Sequence, residues 1–262
     1  LFRHMILNSL RAARKKFNGS FGELVICCDD KNFWRRKRFT HYKANRKKYR
    51  EQSDIDWSNV FNILNKVRDE IDTNFPYKVI RVETAEADDI IGTITESISD
   101  EEIEAYIVSG DKDFMQLINE KTFLYAPGKR NASPIIYDRN GVVDKWGLPP
   151  ENIIDLLALM GDSSDNVPGV VGVGVKTAVK LLKEYGSLSK VLDNADKITN
   201  KRVHDGLKNC KDDAFLSKEL VTIVKNVDIE CSIENFVVQS FDQDALVKKY
   251  EELEFHALLK QI

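Results

Sequence analysis

Residues 105–117 read AYIVSGDKDFMQL. Ala105 to Val108 is a short continuous apolar run of the kind a strand buried on both faces shows, and it passes through Ser109 and Gly110 straight into Asp111 and Asp113. The pattern recurs upstream. Glu23 to Cys28, ELVICC, stops at Asp29 and Asp30, and a strand read at Tyr77 to Val82 leads to Glu86, Asp88 and Asp89. Those three open a helix whose inner face is Ile90, Ile91, Ile94 and Ile98. Helical spacing fills the intervals. Phe2, Met5, Ile6, Leu10, Ala13 and Phe17 form one stripe, on a helix expected to end at Arg14, Lys15 and Lys16, and Trp57, Val60, Phe61, Leu64, Val67 and Ile71 form another. Strands alternating with helices imply an α/β fold with a central, mostly parallel sheet wound right-handedly. In such sheets a site lies beyond the carboxyl ends of the strands. Asp29, Glu86, Asp88, Asp89, Asp111 and Asp113 all fall there. Any one of them alone would more often cap a helix, but three strand ends closing on carboxylates point to a shared site. An EF-hand reading of Asp111 and Asp113 fails, because Gln116 and Thr122 stand at its sixth and twelfth positions.

Downstream, Phe123 to Tyr125 and Ile135 to Tyr137 read as two short strands around a basic turn at Lys129 and Arg130. The chain then becomes helical. Leu156 to Ala178, LLALMGDSSDNVPGVVGVGVKTA, places Asp162 and Asp165 in a Gly- and Ser-rich turn, where paired carboxylates repel unless a cation lies between them. Pro168, Gly169, Gly172 and Gly174 follow, and Lys176 and Thr177 open a helix. A glycine turn leading into a helix N-terminus presents backbone N–H groups and the positive end of the helix dipole, and Lys176 adds a charge: a grip for one phosphodiester backbone that reads no bases. The P-loop and dinucleotide readings are poor, since Val175 separates Gly174 from Lys176 and no strand leads in. Further helices are read at Gly186 to Leu192 and Asn200 to Lys225. A tail from Asp242 to Ile262 is expected to pack back on the sheet domain.

Between Asp30 and Gln52, Lys31, Arg35, Arg36, Lys37, Arg38, Lys43, Arg46, Lys47, Lys48 and Arg50 are opposed only by Asp30 and Glu51, and Phe33, Trp34, Phe39, Tyr42 and Tyr49 stand among them. A charge run is usually a solvated face. Aromatics interleaved with cations instead suit stacking and phosphate contacts with a single strand. This local patch matters because the net charge of −3 over 262 residues predicts no nucleic-acid partner. Cys27, Cys28, Cys210 and Cys231 lack metal-ligand spacing and read as reduced core thiols. The reduced thiols suggest an intracellular, cytoplasmic protein; no apolar run reaches membrane-spanning length, so no membrane partner is expected, and no signal peptide is visible in a sequence that starts at Leu1 rather than Met.

EADDIIG (86–92), VSGDKDFMQL (108–117) and LLALMGDSSDNVPGV with GVGVKTA together resemble the diagnostic motifs of the structure-specific 5'-nucleases: flap endonucleases, phage 5'-exonucleases and the 5'-nuclease domains of bacterial family A DNA polymerases. RHMILNSL and WRR are most similar to the T-even phage ribonuclease H branch, while SKELVTI and ELEFHALL are closer to the polymerase-linked branch. The resemblance implies a PIN-like nuclease core over residues 1–148, with a helical arch at 30–52, and a helical DNA-binding subdomain over 149–262 with a helix-three-turn-helix. It also implies that Asp29, Glu86, Asp88, Asp89 and Asp111 surround one divalent ion and that Asp113, Asp162 and Asp165 serve a second. Lys43 and Arg46 would contact the scissile phosphate, with Tyr42, Arg35 and Arg36 as further arch contacts. Gly172, Gly174, Lys176 and Thr177 would hold the duplex backbone, with a potassium ion at the turn. Carboxylates without clustered His or Cys select hard cations, Mg2+ or Mn2+.

The implied function is metal-dependent 5'-3' exonuclease and flap endonuclease cleavage near a 5' end, flap or nick of DNA, or of an RNA primer on DNA, in replication alongside replication proteins. The family's first strand, with its first metal-binding aspartate, should precede the helix at Phe2, so the native protein is expected to extend N-terminally by roughly a few tens of residues. Two alternatives stand beside this reading. One is a binder of branched or nicked DNA that does not cut, and the other is the nuclease domain of a longer polymerase.

Overall fold

The computed structural model describes residues 2–99, 102–128, 132–236, 243–253, 255 and 259. In chain order its elements begin with α1 (Phe2–Phe21), β1 (Val25–Cys28), α2 (Trp34–Arg38), α3 (Ala44–Glu51), α4 (Trp57–Asn74), β2 (Lys78–Arg81), α5 (Ala87–Ser97) and β3 (Ala105–Val108). A 3-10 turn over Lys112–Leu117 follows, then β4 (Thr122–Ala126), β5 (Ile135–Tyr137), α6 (Arg139–Trp146) and α7 (Ile153–Met160). The helical remainder comprises α8 (Val175–Tyr185), α9 (Leu188–Asp193), α10 (Lys201–Asn209), α11 (Lys211–Val221), α12 (Ile233–Phe236) and α13 (Gln243–Glu252).

The alternating half is α/β, and its strands pair mostly in parallel, as expected. β1 pairs with β2 in the register Val25↔Lys78 to Cys28↔Arg81, and β3 pairs with β4 from Ala105↔Thr122 to Val108↔Tyr125. β5 adds antiparallel to β4. The sheet is divided: among the described residues β1–β2 and β3–β4–β5 form two separate hydrogen-bonded units. Another correction concerns α1, which does not stop at Lys16 but runs on to Phe21. Gly22 follows it at φ 83°, a left-handed conformation that ends helices and that glycine adopts without steric cost.

Among the described residues, two apolar clusters hold the chain. The larger is built on α7, whose residues Ile153, Leu156, Leu157, Ala158 and Leu159 are all buried, and it extends to Leu124, Met115, Leu181, Leu188, Leu207 and Leu220. The smaller joins Leu7 of α1, Val67 and Ile71 of α4, Phe75, and Leu246 and Phe255 of the tail, so the tail packs back on the α/β half as expected. The helical stretch read at 200–225 is two helices, α10 and α11, separated at Cys210. The basic turn read at Lys129 and Arg130 lies outside the described residues. No helix among the described residues is long and apolar enough to cross a membrane. The four cysteines are free and half-buried rather than fully in the core, and burial pushes the Cys27 thiol up to about 12, where it is unreactive.

Candidate active site

Three strand ends and one loop bring the carboxylates together. Asp29, directly after β1, accepts the Ala87 N–H of α5 at 2.7 Å, which ties the end of β1 to the start of that helix. Asp30 turns the other way: it is buried and takes the Asn32 and Thr84 N–H groups and the Arg81 guanidinium, which together hold it down to about 2. Glu86 caps α5 by position and is buried, while Asp88, in the first turn of the helix, is half-buried. Burial, opposed by Lys43 and reinforced by Glu86, Asp111 and Asp29, pushes Asp88 up to about 7. Asp113, in the turn after β3, rises to about 7 through burial and Asp111, opposed by Lys112 and reinforced by Asp162 and Asp165. Repulsion therefore groups Asp29, Glu86, Asp88 and Asp111 on one side and Asp111, Asp113, Asp162 and Asp165 on the other.

Asp162 and Asp165 sit in the loop after α7, closed by the Asp162↔Val167 bridge. Asp162 Oδ1 accepts the Ser164 N–H and hydroxyl at 2.8 and 2.6 Å, and its other oxygen pairs with Lys112. Asp165 accepts from Arg46 at 2.5 Å and from the Tyr42 hydroxyl at 3.3 Å. Lys43 reaches two groups. Its ammonium lies 2.5 Å from Glu86 and 3.6 Å from Asp165. Burial alone would lower its pKa, but Glu86 and Asp165 outweigh that and hold it above the ordinary value. The backbone supports this reach, since Lys43 adopts φ 57° and donates its N–H to the Asp165 carbonyl.

The donors are all oxygens, as a hard divalent cation requires. Asp113 Oδ1 is buried without a hydrogen-bond partner, and two carboxylates are destabilised in their charged form, so the donor set fits such an ion. The carboxylates do not converge on a point: among the described residues, no three His, Cys, Asp or Glu side chains are placed to hold a metal. The physical reason is visible in the pairing, because like charges have taken Lys43, Lys112, Arg46 and Arg35 as partners and stand apart from one another.

Three sequence expectations are corrected here. Asp89 is fully buried and is not open to an ion, since its oxygens accept from both terminal nitrogens of Arg35 at 2.7 Å, from the Trp34 indole at 2.9 Å and from the Val224 N–H at 2.9 Å. Arg35, read as a nucleic-acid contact, is buried: it also bonds Glu86 at 2.9 Å and the Leu220 and Thr222 carbonyls at 2.7 Å. Tyr42 is buried too, edge-on to Phe33 in the large core, and its ring is not free to stack on a base. Of the interleaved aromatics, Tyr49 is the one left largely exposed, at 72%. Arg36 and Arg46 do remain on the surface, and Arg46 pairs with Asp165 of the cluster. The sequence reading missed Lys112, although its position between Asp111 and Asp113 was in view. It also missed Gln116, whose amide bonds the Val221 carbonyl and the Ile223 N–H.

The hairpin forms a second feature. Gly169 and Gly172 adopt φ 65° and 85°, and Gly174 precedes α8 without any side-chain cap, leaving Lys176 exposed and Thr177 half-buried. α10 packs directly on this turn. A Cβ at Gly206 would lie 2.0 Å from the Val171 carbonyl oxygen, so only glycine allows the approach.

The family model for the N-terminal resolvase-like domain of 5'-3' exonucleases matches residues 2–147, and that for their C-terminal SAM fold matches residues 148–244. The chain belongs to the 5'-3' exonuclease family. It is 34% identical over 258 residues to DNA polymerase I of Bacillus caldotenax, covering 98% of this chain and 28% of the polymerase. It is 38% identical over 177 residues to the 5'-3' exonuclease of Aquifex aeolicus, covering 68% of this chain and 58% of that one. The chain thus spans about a quarter of the polymerase and little more than half of the exonuclease. Its fold is similar to that of the bacteriophage T5 D15 flap endonuclease in a pseudo-enzyme-product complex with DNA and metal ions, at a TM-score of 0.71 and 20% identity over 97% of this chain and 90% of that one.

Proposed function

We propose that this chain carries out metal-dependent hydrolysis of phosphodiester bonds at 5' ends and flaps of DNA, with RNA primers on DNA as a further substrate. The observation that carries the proposal is that the carboxylates after β1, at the start of α5, in the turn after β3 and in the loop after α7 lie near enough to repel one another without converging, with the cations Lys43 and Arg46 at their edge. Asp29, Glu86, Asp88 and Asp111 would hold one Mg2+ or Mn2+, and Asp113, Asp162 and Asp165 a second. Bound in that way, two such ions supply Lewis acidity to the phosphate and lower the pKa of an attacking water.

The protein's own groups do the rest. Lys43 and Arg46, released from Glu86 and Asp165, would neutralise charge developing on the phosphate. Arg36 and the exposed face of α3 would guide a single strand, with Tyr49 in the stacking role first read for Tyr42. Gly172, Gly174, Lys176 and Thr177 would hold the duplex backbone at the start of α8, with a potassium ion at the turn. In this reading residues 1–148 cut and residues 149–262 position the duplex, in the cytoplasm and beside replication proteins.

A labelled 5'-flap DNA incubated with Mg2+ or Mn2+ tests the proposal through release of a short 5' product that EDTA abolishes. Two rivals are separable from it. The carboxylates' separation favours a binder that shifts the flap DNA and releases nothing. The 28% coverage of the polymerase favours a domain of a longer enzyme, which the mass of the native gene product would reveal.

A further inference from the structure

Lys112 lies in the second half of the carboxylate cluster, beside Asp113 and Asp162. Its side chain is partly buried, at 30% exposure; its ammonium pairs with Asp162 Oδ2 and sits 3.8 Å from Asp113 Oδ1. That Asp113 oxygen has no hydrogen-bond partner, and the opposite oxygen of Asp162 is already taken by Ser164. Asp113 comes from the turn after β3 and Asp162 from the loop after α7. The charge between these two elements is therefore a lysine on a flexible four-carbon stem, a compact point charge that can swing away.

We propose that Lys112 is an internal stand-in for the cation that Asp113 and Asp162 would share, and that metal entry requires its ammonium to leave. The inference rests on the reading that these carboxylates hold a divalent ion. It gives Lys112 two effects of opposite sign: it stabilises the metal-free fold by compensating Asp113 and Asp162, and it weakens metal binding by competing for the same oxygens. An ordinary structural ion pair has only the first effect. A residue that supports the metal would lose affinity on removal rather than gain it.

The test is Mn2+ binding to the native protein, followed by electron paramagnetic resonance of the free ion, for wild type, Lys112→Met, Lys112→Gln and Lys112→Arg, with melting in EDTA and in saturating Mn2+. Removing the charge should tighten Mn2+ by up to about fivefold, the upper end for an ion pair whose cation is about a third exposed, while lowering the melting temperature in EDTA and leaving it unchanged in saturating Mn2+. Lys112→Arg, which keeps the charge, should stay near wild type. Lys112→Gln can still hydrogen-bond Asp162 and guards against misfolding of the Met variant. Weaker or unchanged Mn2+ affinity in both neutral variants overturns the inference while leaving the metal site standing. A wild type that binds no Mn2+ overturns the metal reading itself, and the inference with it.

Discussion

Replacing Arg35 by Met removes a cation that five acceptor oxygens surround. Its guanidinium bonds both oxygens of Asp89, one of Glu86 and the carbonyls of Leu220 and Thr222, and the side chains of Arg35, Asp89 and Glu86 are at most 3% exposed. Without it, Asp89 keeps the Trp34 and Val224 donors but has no counter-charge, and two carbonyls lose a partner. Breaking one side of a buried ion pair costs about 3 to 5 kcal/mol. At roughly 2 to 4 °C per kcal/mol for a chain near this size, the melting temperature should fall by about 6 to 20 °C. The assay is urea and thermal unfolding in EDTA. Arg35→Met combined with Asp89→Leu should recover much of the loss, since an apolar pair of similar volume does not strand a charge. Arg35→Lys should recover little, because an ammonium cannot span the same fork of acceptors. A loss under about 1 kcal/mol in Arg35→Met, the size expected of an exposed pair, would refute the assignment of Arg35 as the buried link between α5 and the end of α11.

The raised values of Asp88 and Asp113 set a pH dependence. The folded, metal-free state holds protons that the unfolded chain has released, so stability in EDTA should fall as pH rises from about 4 through about 7, by at most about 1.4 kcal/mol per pH unit for each group. Mg2+ should consequently raise the melting temperature more at pH 8 than at pH 6, and an equal shift at both would contradict it. Lys176→Ala should weaken duplex binding alike for all sequences and reduce the salt slope by roughly one, as for one lost phosphate contact, and a sequence-dependent loss would show base reading. Gly206→Ala should push α10 off the Val171 carbonyl and cost about 1 to 3 kcal/mol, with duplex affinity falling too; a neutral melting temperature would mean the contact relaxes freely.

The strands were legible because a buried strand leaves a local signature: VICC and AYIV are short apolar runs with acidic residues soon after them, and KVIR carries the β-branched pair Val79 and Ile80 between two cations. Their division into two sheets was not, since hydrogen-bonded pairing depends on neighbours far along the chain. The acidic candidates at the strand ends were legible for the same local reason, and Asp29, Glu86, Asp88, Asp111 and Asp113 lie where they were read. Asp89 and Arg35 were misread together. In sequence Arg35 is one of ten cations between Asp30 and Gln52, and nothing local separates it from Arg36; its burial comes from carbonyls at Leu220 and Thr222, about 185 residues away. Tyr42 misled in the same way, because an aromatic among cations reads as a stacking surface until the core it enters is known. Lys112 escaped notice as a charge between two charges, a position whose meaning depends on Asp162 fifty residues later.

The most direct measurement is single-turnover cleavage of a 5'-flap DNA by the native protein and by Asp113→Asn, with Mg2+ or in EDTA, beside the equilibrium affinity of each for the same DNA. Wild type should cut only with metal, and Asp113→Asn should lose cleavage by at least about a hundredfold, as for removal of one transition-state contact, while binding the DNA almost as well. Cleavage that survives in EDTA, or a wild type that binds the flap and never releases a product, would contradict the account.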